Sequence, residues 1–294
     1  MDFRRPATWA EALATKAEHP GALPIAGGTD VMVEINFDLR RPTALLDLTG
    51  IAELAEWDRT DGRIRLGAGV SYTRIITELG DELPGLAMAS RTVGSPQIRN
   101  RGTVGGNLGA GSPAGDAHPV LLATDAAVEL ASVRGARTVP ASEYYLGPKK
   151  TALEPDELIA AVHLPAADGP QQFAKVGTRN AMVIAVCSVG LALFPSAGRV
   201  GAAIGSAAPT PRRATAAMEF LAGELAAHDY WQTRKPLPDT VIRRFGELVA
   251  AAAAPIDDVR GSAGYRRHAL AVLARRTLGW AWQDYREGNW PACA

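Results

Sequence analysis

The stretch RNRGTVGGNLGAGSPAGD, Arg99 to Asp116, carries six glycines in eighteen residues and ends on an acid. Glycine accepts positive φ and lets another group approach the main chain, and successive N–H groups in such a stretch form a concave nest for an anion. A plain surface loop explains the same composition, because glycine and proline cluster in turns anyway. A second glycine stretch shifts the balance. AGGTD, Ala26 to Asp30, follows the apolar run ALPIA and precedes a helix-like segment, the context in which N–H groups at a helix start face an anion. Two such loops predict a grip on the two phosphates of one dinucleotide.

Competing phosphate motifs fit less well. No G-x-x-x-x-G-K-[ST] is present, which leaves a P-loop unsupported. Gly109, Gly111 and Ala114 fit G-x-G-x-x-A, with Glu129 in the position of a ribose-binding acid. RNRGTVGGN, just upstream, is too polar for the buried parallel strand that must precede that turn.

At 294 residues and 47% apolar content the chain can fill two or three packed domains. Lysine plus arginine and aspartate plus glutamate both total 31, so no net field draws it to nucleic acid or an anionic membrane. Cys187 and Cys293 form no disulfide framework and no iron–sulfur spacing. The N-terminus lacks an apolar signal core and no run of eighteen uncharged apolar residues occurs, which reads as a cytoplasmic protein without membrane insertion.

Three regions follow along the chain. In residues 1–52, Thr8 and Glu11 are spaced as a capping box before the helix WAEALATKAE, and TALLDL reads as a buried strand. In residues 53–170, AEWDRTDGRIRLGAGV reads as a hairpin turning at Asp61 and Gly62, AAVELASVRGARTVPA as another, and ELIAAVHLP as a strand. In residues 171–294, FAKVG, VIAVCSVGLALF and RVGAAIGSA read as strands, with helices from Ala214 onward that include the run Ala250 to Ala254. Strands first and helices afterwards predict a separate α+β domain.

AGGTD at 26–30, QIRNRGTVGGNLGAGSPAGDAHPVLLATDAAVEL at 97–130 and IDDVRGSAGYRRHALAVLARR at 256–276 resemble the FAD-binding subunit of the molybdenum hydroxylases, the xanthine dehydrogenase and aerobic carbon monoxide dehydrogenase type. The resemblance covers nearly the whole chain. It implies an α+β fold: a two-subdomain FAD-binding fold of the vanillyl-alcohol oxidase type, then a C-terminal domain of antiparallel sheet plus helices. It also implies a place in an electron chain. Substrate is oxidised at molybdopterin on a large partner subunit, electrons cross two [2Fe–2S] clusters on a small partner, and FAD here passes them to NAD+, oxygen or a quinone. The implied assembly is a dimer of heterotrimers.

The resemblance also assigns residues. Ala26, Gly27, Gly28, Thr29, Asp30 and Val31 match the first loop, whose amides and Thr29 hydroxyl hold the pyrophosphate. Thr103, Val104, Gly105, Gly106 and Asn107 match the second, where the glycines permit close approach and Asn107 supplies an amide donor. Asp116 matches an acid at the adenosine ribose, Ile159 an aliphatic contact to the flavin, and Lys175 a lysine near the isoalloxazine, where a cation stabilises the anionic reduced ring. No catalytic acid or base is implied. For Asp116, Ile159 and Lys175 the bland readings are a solvated turn acid, a buried strand residue and a solvated strand lysine. Val183 stands where many relatives carry an acid before IAV, a departure that bears on flavin potential or electron acceptor.

Other chemistry is thin. The five histidines show no paired metal spacing, and His118, nearest the loops, reads as a surface or helix-cap residue. Arg99 and Arg101 face either phosphates or solvent. No G-x-S-x-G occurs. GYRRHALAVLARRTLGWAWQDY reads as a docked amphipathic helix with a basic outer face rather than a nucleic-acid element. Two other functions stay open: a self-sufficient reductase on the same flavin fold, for which no proton-donor pair stands out, and a non-catalytic nucleotide-binding assembly module.

Overall fold

Thr8 starts the first helix as its spacing predicts. Its hydroxyl accepts the Glu11 N–H at 3.2 Å, meeting one orphan donor of the first turn, and the Glu11 carboxylate accepts the N–H of Ala7, the residue before the cap, at 2.7 Å. The computed structural model describes residues 1–290; Cys293 lies outside them. The elements run β1 (Asp2–Arg4), α1 (Trp9–Glu18), β2 (Leu23–Ile25), α2 (Val31–Asn36), β3 (Ala44–Asp47), β4 (Trp57–Thr60), β5 (Arg63–Gly67), α3 (Tyr72–Glu78), α4 (Pro84–Arg91), α5 (Pro96–Arg101), α6 (Val104–Ala110) and α7 (Ala117–Ala123). They continue with β6 (Ala127–Ser132), β7 (Gly135–Pro140), α8 (Ala141–Tyr144), β8 (Tyr145–Gly147), β9 (Lys150–Thr151), β10 (Leu158–Pro165), β11 (Gln171–Val176), β12 (Cys187–Phe194), β13 (Arg199–Gly205), β14 (Arg212–Arg213), α9 (Thr215–Ala227), α10 (Tyr230–Thr233), α11 (Asp239–Ala251) and α12 (Ala263–Glu287).

Two compact units result. The first takes Met1–Arg74, Gly94–Ser112 and Ala126–Pro165. It holds a parallel three-stranded sheet in the order β1-β3-β2, whose central strand is buried throughout. It also holds an antiparallel five-stranded sheet in the order β4-β5-β10-β6-β7. Asp61 and Gly62 turn the β4–β5 hairpin with φ of 50° and 70°, the two positive angles that a two-residue turn matched to strand twist requires. Across this sheet Glu129 accepts both arms of Arg65 at 3.0 Å and lies 2.7 Å from His163 Nε2.

The second unit takes Ile75–Val93, Pro113–Asp125 and the chain from Ala166. Its antiparallel sheet runs β11-β12-β13-β14. Every residue of β12 is buried, which explains why its sequence does not alternate. Val189, Leu191 and Leu193 join one cluster with Leu221, Phe245 and Leu270 from the C-terminal helices. Gly190 points the other way, and a Cβ there would fall 2.8 Å from the Pro119 carbonyl of α7. The sheet therefore lies between two helical layers, one of them drawn from the middle of the chain.

α12 buries Ala269, Leu270, Leu273, Ala274, Thr277, Leu278, Ala281, Trp282 and Tyr285 at helical spacing and exposes Arg267, Arg275 and Arg276, the amphipathic pattern read from the sequence. Arg266 departs from that pattern: it is 3% exposed. His118 is fully buried in α7 rather than at the surface. The alanine run leaves its helix early. α11 ends at Ala251, because Ala254 gives its N–H to the Ala207 carbonyl and precedes Pro255, which disfavours helix in the residue before it. Among the described residues no helix is long and apolar enough to cross a membrane.

Candidate cofactor site

The two glycine stretches meet in the first unit. A Cβ on Gly27 would overlap the Arg101 carbonyl and reach Gly102 N at 3.0 Å, so the β2–α2 loop lies directly on the residues that enter the second stretch. Only glycine lets two backbones approach this closely. Gly28 then turns the chain toward α2 with a φ of 73°. Ala26, Gly27, Gly28, Thr29 and Val31 are half-buried, and Asp30 is the exposed N-cap, making no side-chain capping bond. Among the described residues no hydrogen bond takes the N–H groups of Gly27, Gly28, Thr29, Asp30 or Val31. The open donors sit at a helix start, where the peptide dipoles add positive potential.

The second stretch, read as a loop, is helical over Val104–Ala110. Thr103 caps it by accepting the Gly106 N–H at 2.9 Å, and Gly105 gives its N–H to the Ala68 carbonyl at 3.1 Å. A Cβ on Gly105 would fall 2.5 Å from Ala68 Cβ. Tertiary packing here overrides the poor helix propensity of glycine. The amides of Gly105, Gly106 and Asn107, the last bonded to the Thr103 carbonyl at 3.0 Å, are thus engaged within the chain, and Val104, 1% exposed, belongs to the core. What faces outward is Gly106, where a Cβ would meet only Thr103 Oγ1 at 3.1 Å. Beside it, the Oδ1 of half-buried Asn107 is buried without a partner, and a half-turn of the amide exchanges it for the Nδ2 donor.

Three features around this pair of stretches escaped the sequence reading. Ala68 lies in GAGV, 67–70, a third glycine segment taken only as the end of a hairpin. Ser71 bridges to Thr103, and Tyr72 donates its N–H to the Gly102 carbonyl at 3.0 Å. Lys149, with a φ of 54°, reaches Glu34 of α2 at 2.6 Å, and this hydrogen bond, working against partial burial, holds the Glu34 carboxyl below its ordinary range. Ile159 of β10 is 8% exposed, and a Cβ on Gly109 would lie 3.8 Å from its Cδ1, so it sits beneath α6. Arg99 turns back to the Gly94 carbonyl at 3.0 Å, and Arg101 is exposed. The alternative nucleotide fingerprint fails on context: its first glycine is in α6, helix α5 precedes it, and Glu129 is committed to Arg65 and His163.

Asp116 and Lys175 belong to the second unit, and neither is solvated. Lys175 Nζ lies 2.5 Å from Asp116 Oδ2, and the side chains are 10% and 8% exposed. The amine also donates to the Thr92 carbonyl at 3.0 Å and to the Val183 carbonyl at 3.1 Å, and the Thr92 hydroxyl donates to Asp116 Oδ2 at 2.9 Å. Burial pushes the Asp116 carboxyl up, against the pull of Lys175 and Thr92. With Oδ2 taken twice, only Oδ1 is left for a ligand; it is buried and has no partner among the described residues. Val183, where the sequence departs from the resemblance, contributes its carbonyl rather than its side chain.

The donor set of the first unit fits a dinucleotide phosphate: open amides, the Thr29 hydroxyl and a glycine face that nothing fills. The comparisons agree. Residues 1–167 match the family described as the FAD binding domain in molybdopterin dehydrogenase. The chain belongs to that family. Residues 172–281 match the CO dehydrogenase flavoprotein C-terminal domain. The chain is 32% identical to the xanthine dehydrogenase FAD-binding subunit of Escherichia coli O157:H7, covering 94% of both. It is also 32% identical to the carbon monoxide dehydrogenase medium chain of Afipia carboxidovorans, covering 95% of both. Carbon monoxide dehydrogenase of Hydrogenophaga pseudoflava has the same fold, with a TM-score of 0.87 at 27% identity over 96% of this chain and 97% of that one. The chain is thus a flavoprotein subunit of a molybdenum-containing oxidoreductase, with the FAD-binding fold followed by the C-terminal domain that its sequence implies.

Proposed function

We propose that this chain carries electrons between the iron–sulfur clusters of a small partner subunit and a soluble acceptor, NAD+, oxygen or a quinone, within a complex whose large subunit holds molybdopterin. The complex on this reading is a cytoplasmic dimer of heterotrimers. Bound FAD supplies the exchange between one-electron and two-electron carriers. The residues of the chain bind and tune it; none needs to be a general acid or base.

The observation that carries the reading is the contact of Gly27 with Arg101 and Gly102, which lays the loop of open amides, 27–31, on the residues that lead into the start of α6. On this reading Gly27, Gly28, Thr29, Asp30 and Val31 neutralise phosphate charge through N–H dipoles, Asn107 adds a side-chain donor, and Ile159 packs against an apolar part of the cofactor. Lys175 holds a positive charge at the flavin ring. The paired Asp116 offers a ribose one remaining oxygen rather than a whole carboxylate.

A titration of the full chain with FAD and with FMN tests this. Binding selective for FAD is the expected result, because FMN has one phosphate and no adenosine. Equal affinity for the two, or none for either in the presence of co-expressed partner subunits, would overturn it.

A further inference from the structure

The segment IDDVRGSAGYRRH, 256–268, is part of the family resemblance but has no role in the site described above. Its one buried charge is Arg266, 3% exposed. The guanidinium donates from Nη1 to the carbonyls of Val186, at 2.8 Å, and Ser206, and from Nη2 to Asp258 Oδ1 at 2.6 Å. A buried charge with its donors engaged is costly to assemble, and removing one partner leaves the other uncompensated.

The two carbonyls it grips lead to the two sides of Lys175. Val186 ends the segment 177–186, which carries the Val183 carbonyl that accepts from Lys175 at 3.1 Å. Between the strands that segment belongs to no sheet; Met182 is 55% exposed with a φ of 50°, and Ile184 is 53% exposed. The Val186 N–H to Val176 carbonyl bond of 2.7 Å closes its base. Ser206 in turn gives its N–H to the Pro113 carbonyl at 2.8 Å and its hydroxyl to the Ala185 carbonyl at 2.6 Å. Pro113 precedes the residues that deliver Asp116, so two of the three segments that present acceptors to Lys175 converge on one guanidinium, the third being the end of α4 at Thr92.

We infer that Arg266, held by Asp258, is the positioning residue for the Lys175–Asp116 pair. It fixes the Val183 carbonyl and the Pro113–Asp116 segment relative to each other, and the amine of Lys175 is held between them and the Thr92 carbonyl. A lysine at 266 cannot do this, since a single ammonium on a flexible stem does not reproduce a planar fork aimed at three acceptors. The consequence for redox tuning rests on the reading above that Lys175 faces the flavin; the positioning itself does not.

The test is competitive reductive methylation of the full chain, read per lysine by mass spectrometry, in wild type, Arg266→Lys and Asp258→Asn. Midpoint potentials of bound FAD are measured in parallel, with Lys175→Met and the Arg266→Lys/Lys175→Met double variant. Positioning predicts that Lys175 is modified severalfold faster in both single variants, the smaller change being in Asp258→Asn, while Lys149 and Lys150 keep their rates. It predicts a shifted potential in Arg266→Lys that adds nothing in the Lys175→Met background. Unchanged Lys175 protection in folded Arg266→Lys overturns the inference, and if that variant does not fold, unchanged protection in Asp258→Asn does so. Faster methylation together with a potential indifferent to Lys175→Met supports the positioning role and overturns only the placement of Lys175 at the flavin.

Discussion

Lys175 and Asp116 form one buried ion pair, 2.5 Å apart, although they are separated by 59 positions in sequence. Neither side chain can be removed alone without leaving the other uncompensated away from water. Lys175→Met is expected to destabilise the second unit by roughly 3–5 kcal/mol, the usual cost of breaking such a pair from one side. Asp116→Asn/Lys175→Met recovers much of that loss, because no unpaired charge remains. Denaturant unfolding of the single and double variants reads both effects; a double variant as unstable as the sum of the singles would show that the two groups do not couple.

Gly105 and Gly106 are neighbours with opposite expected outcomes. Gly105→Val drives a side chain into Ala68 and costs stability by overpacking, at least 1–3 kcal/mol by analogy with filled cores. Gly106→Val faces outward and meets only the Thr103 hydroxyl, at 3.1 Å, so it is expected to cost less stability than Gly105→Val while weakening FAD binding by about tenfold or more, equivalent to about 1.4 kcal/mol. Thermal melts beside FAD titrations separate the two. Unaltered affinity in folded Gly106→Val protein would remove the phosphate role of this face.

Thr103 acts on the same helix through its cap. Thr103→Ala removes the acceptor for the Gly106 N–H and should cost about 1 kcal/mol. If the freed first-turn N–H serves the cofactor phosphate instead, FAD affinity falls less than the apo-protein stability does. Comparison of melting curves with and without FAD checks this.

Glu129 makes part of the stability pH-dependent. Burial works to raise its carboxyl, but the hydrogen bonds from Arg65 and His163 outweigh it and hold the group below the ordinary glutamate range. A depressed acid contributes stability that is complete above the unfolded value and is lost as pH falls through the folded one. Glu129→Gln should therefore lower stability near neutral pH and flatten the acid limb of the unfolding profile. An acid limb of unchanged steepness in the variant would assign that sensitivity to other carboxylates.

Local signals in the sequence determined the pieces of this protein. The Thr8 cap, the Asp61–Gly62 turn, the strand LIAAVHLP and the spacing of α12 all follow from interactions within a few residues, and each was legible for that reason. The order of the glycine motifs was enough to mark the flavoprotein family. Packing decided the rest. The helix that holds glycines 105, 106 and 109 is seated by the contact of Gly105 with Ala68, some forty positions away in sequence, and no local propensity reports that contact. α4 and α7 arise in the middle region but cover the C-terminal sheet, because β12 is apolar on both faces and needs a second layer. Arg266 reads like one more basic residue on an amphipathic helix until the fold sets the carbonyls of Val186 and Ser206 against it. Lys175 likewise looks like a solvated strand lysine until Thr92, Asp116 and Val183 close around its amine. Burying a charge is favourable only when distant segments supply its partners together, and that is settled by the tertiary structure alone.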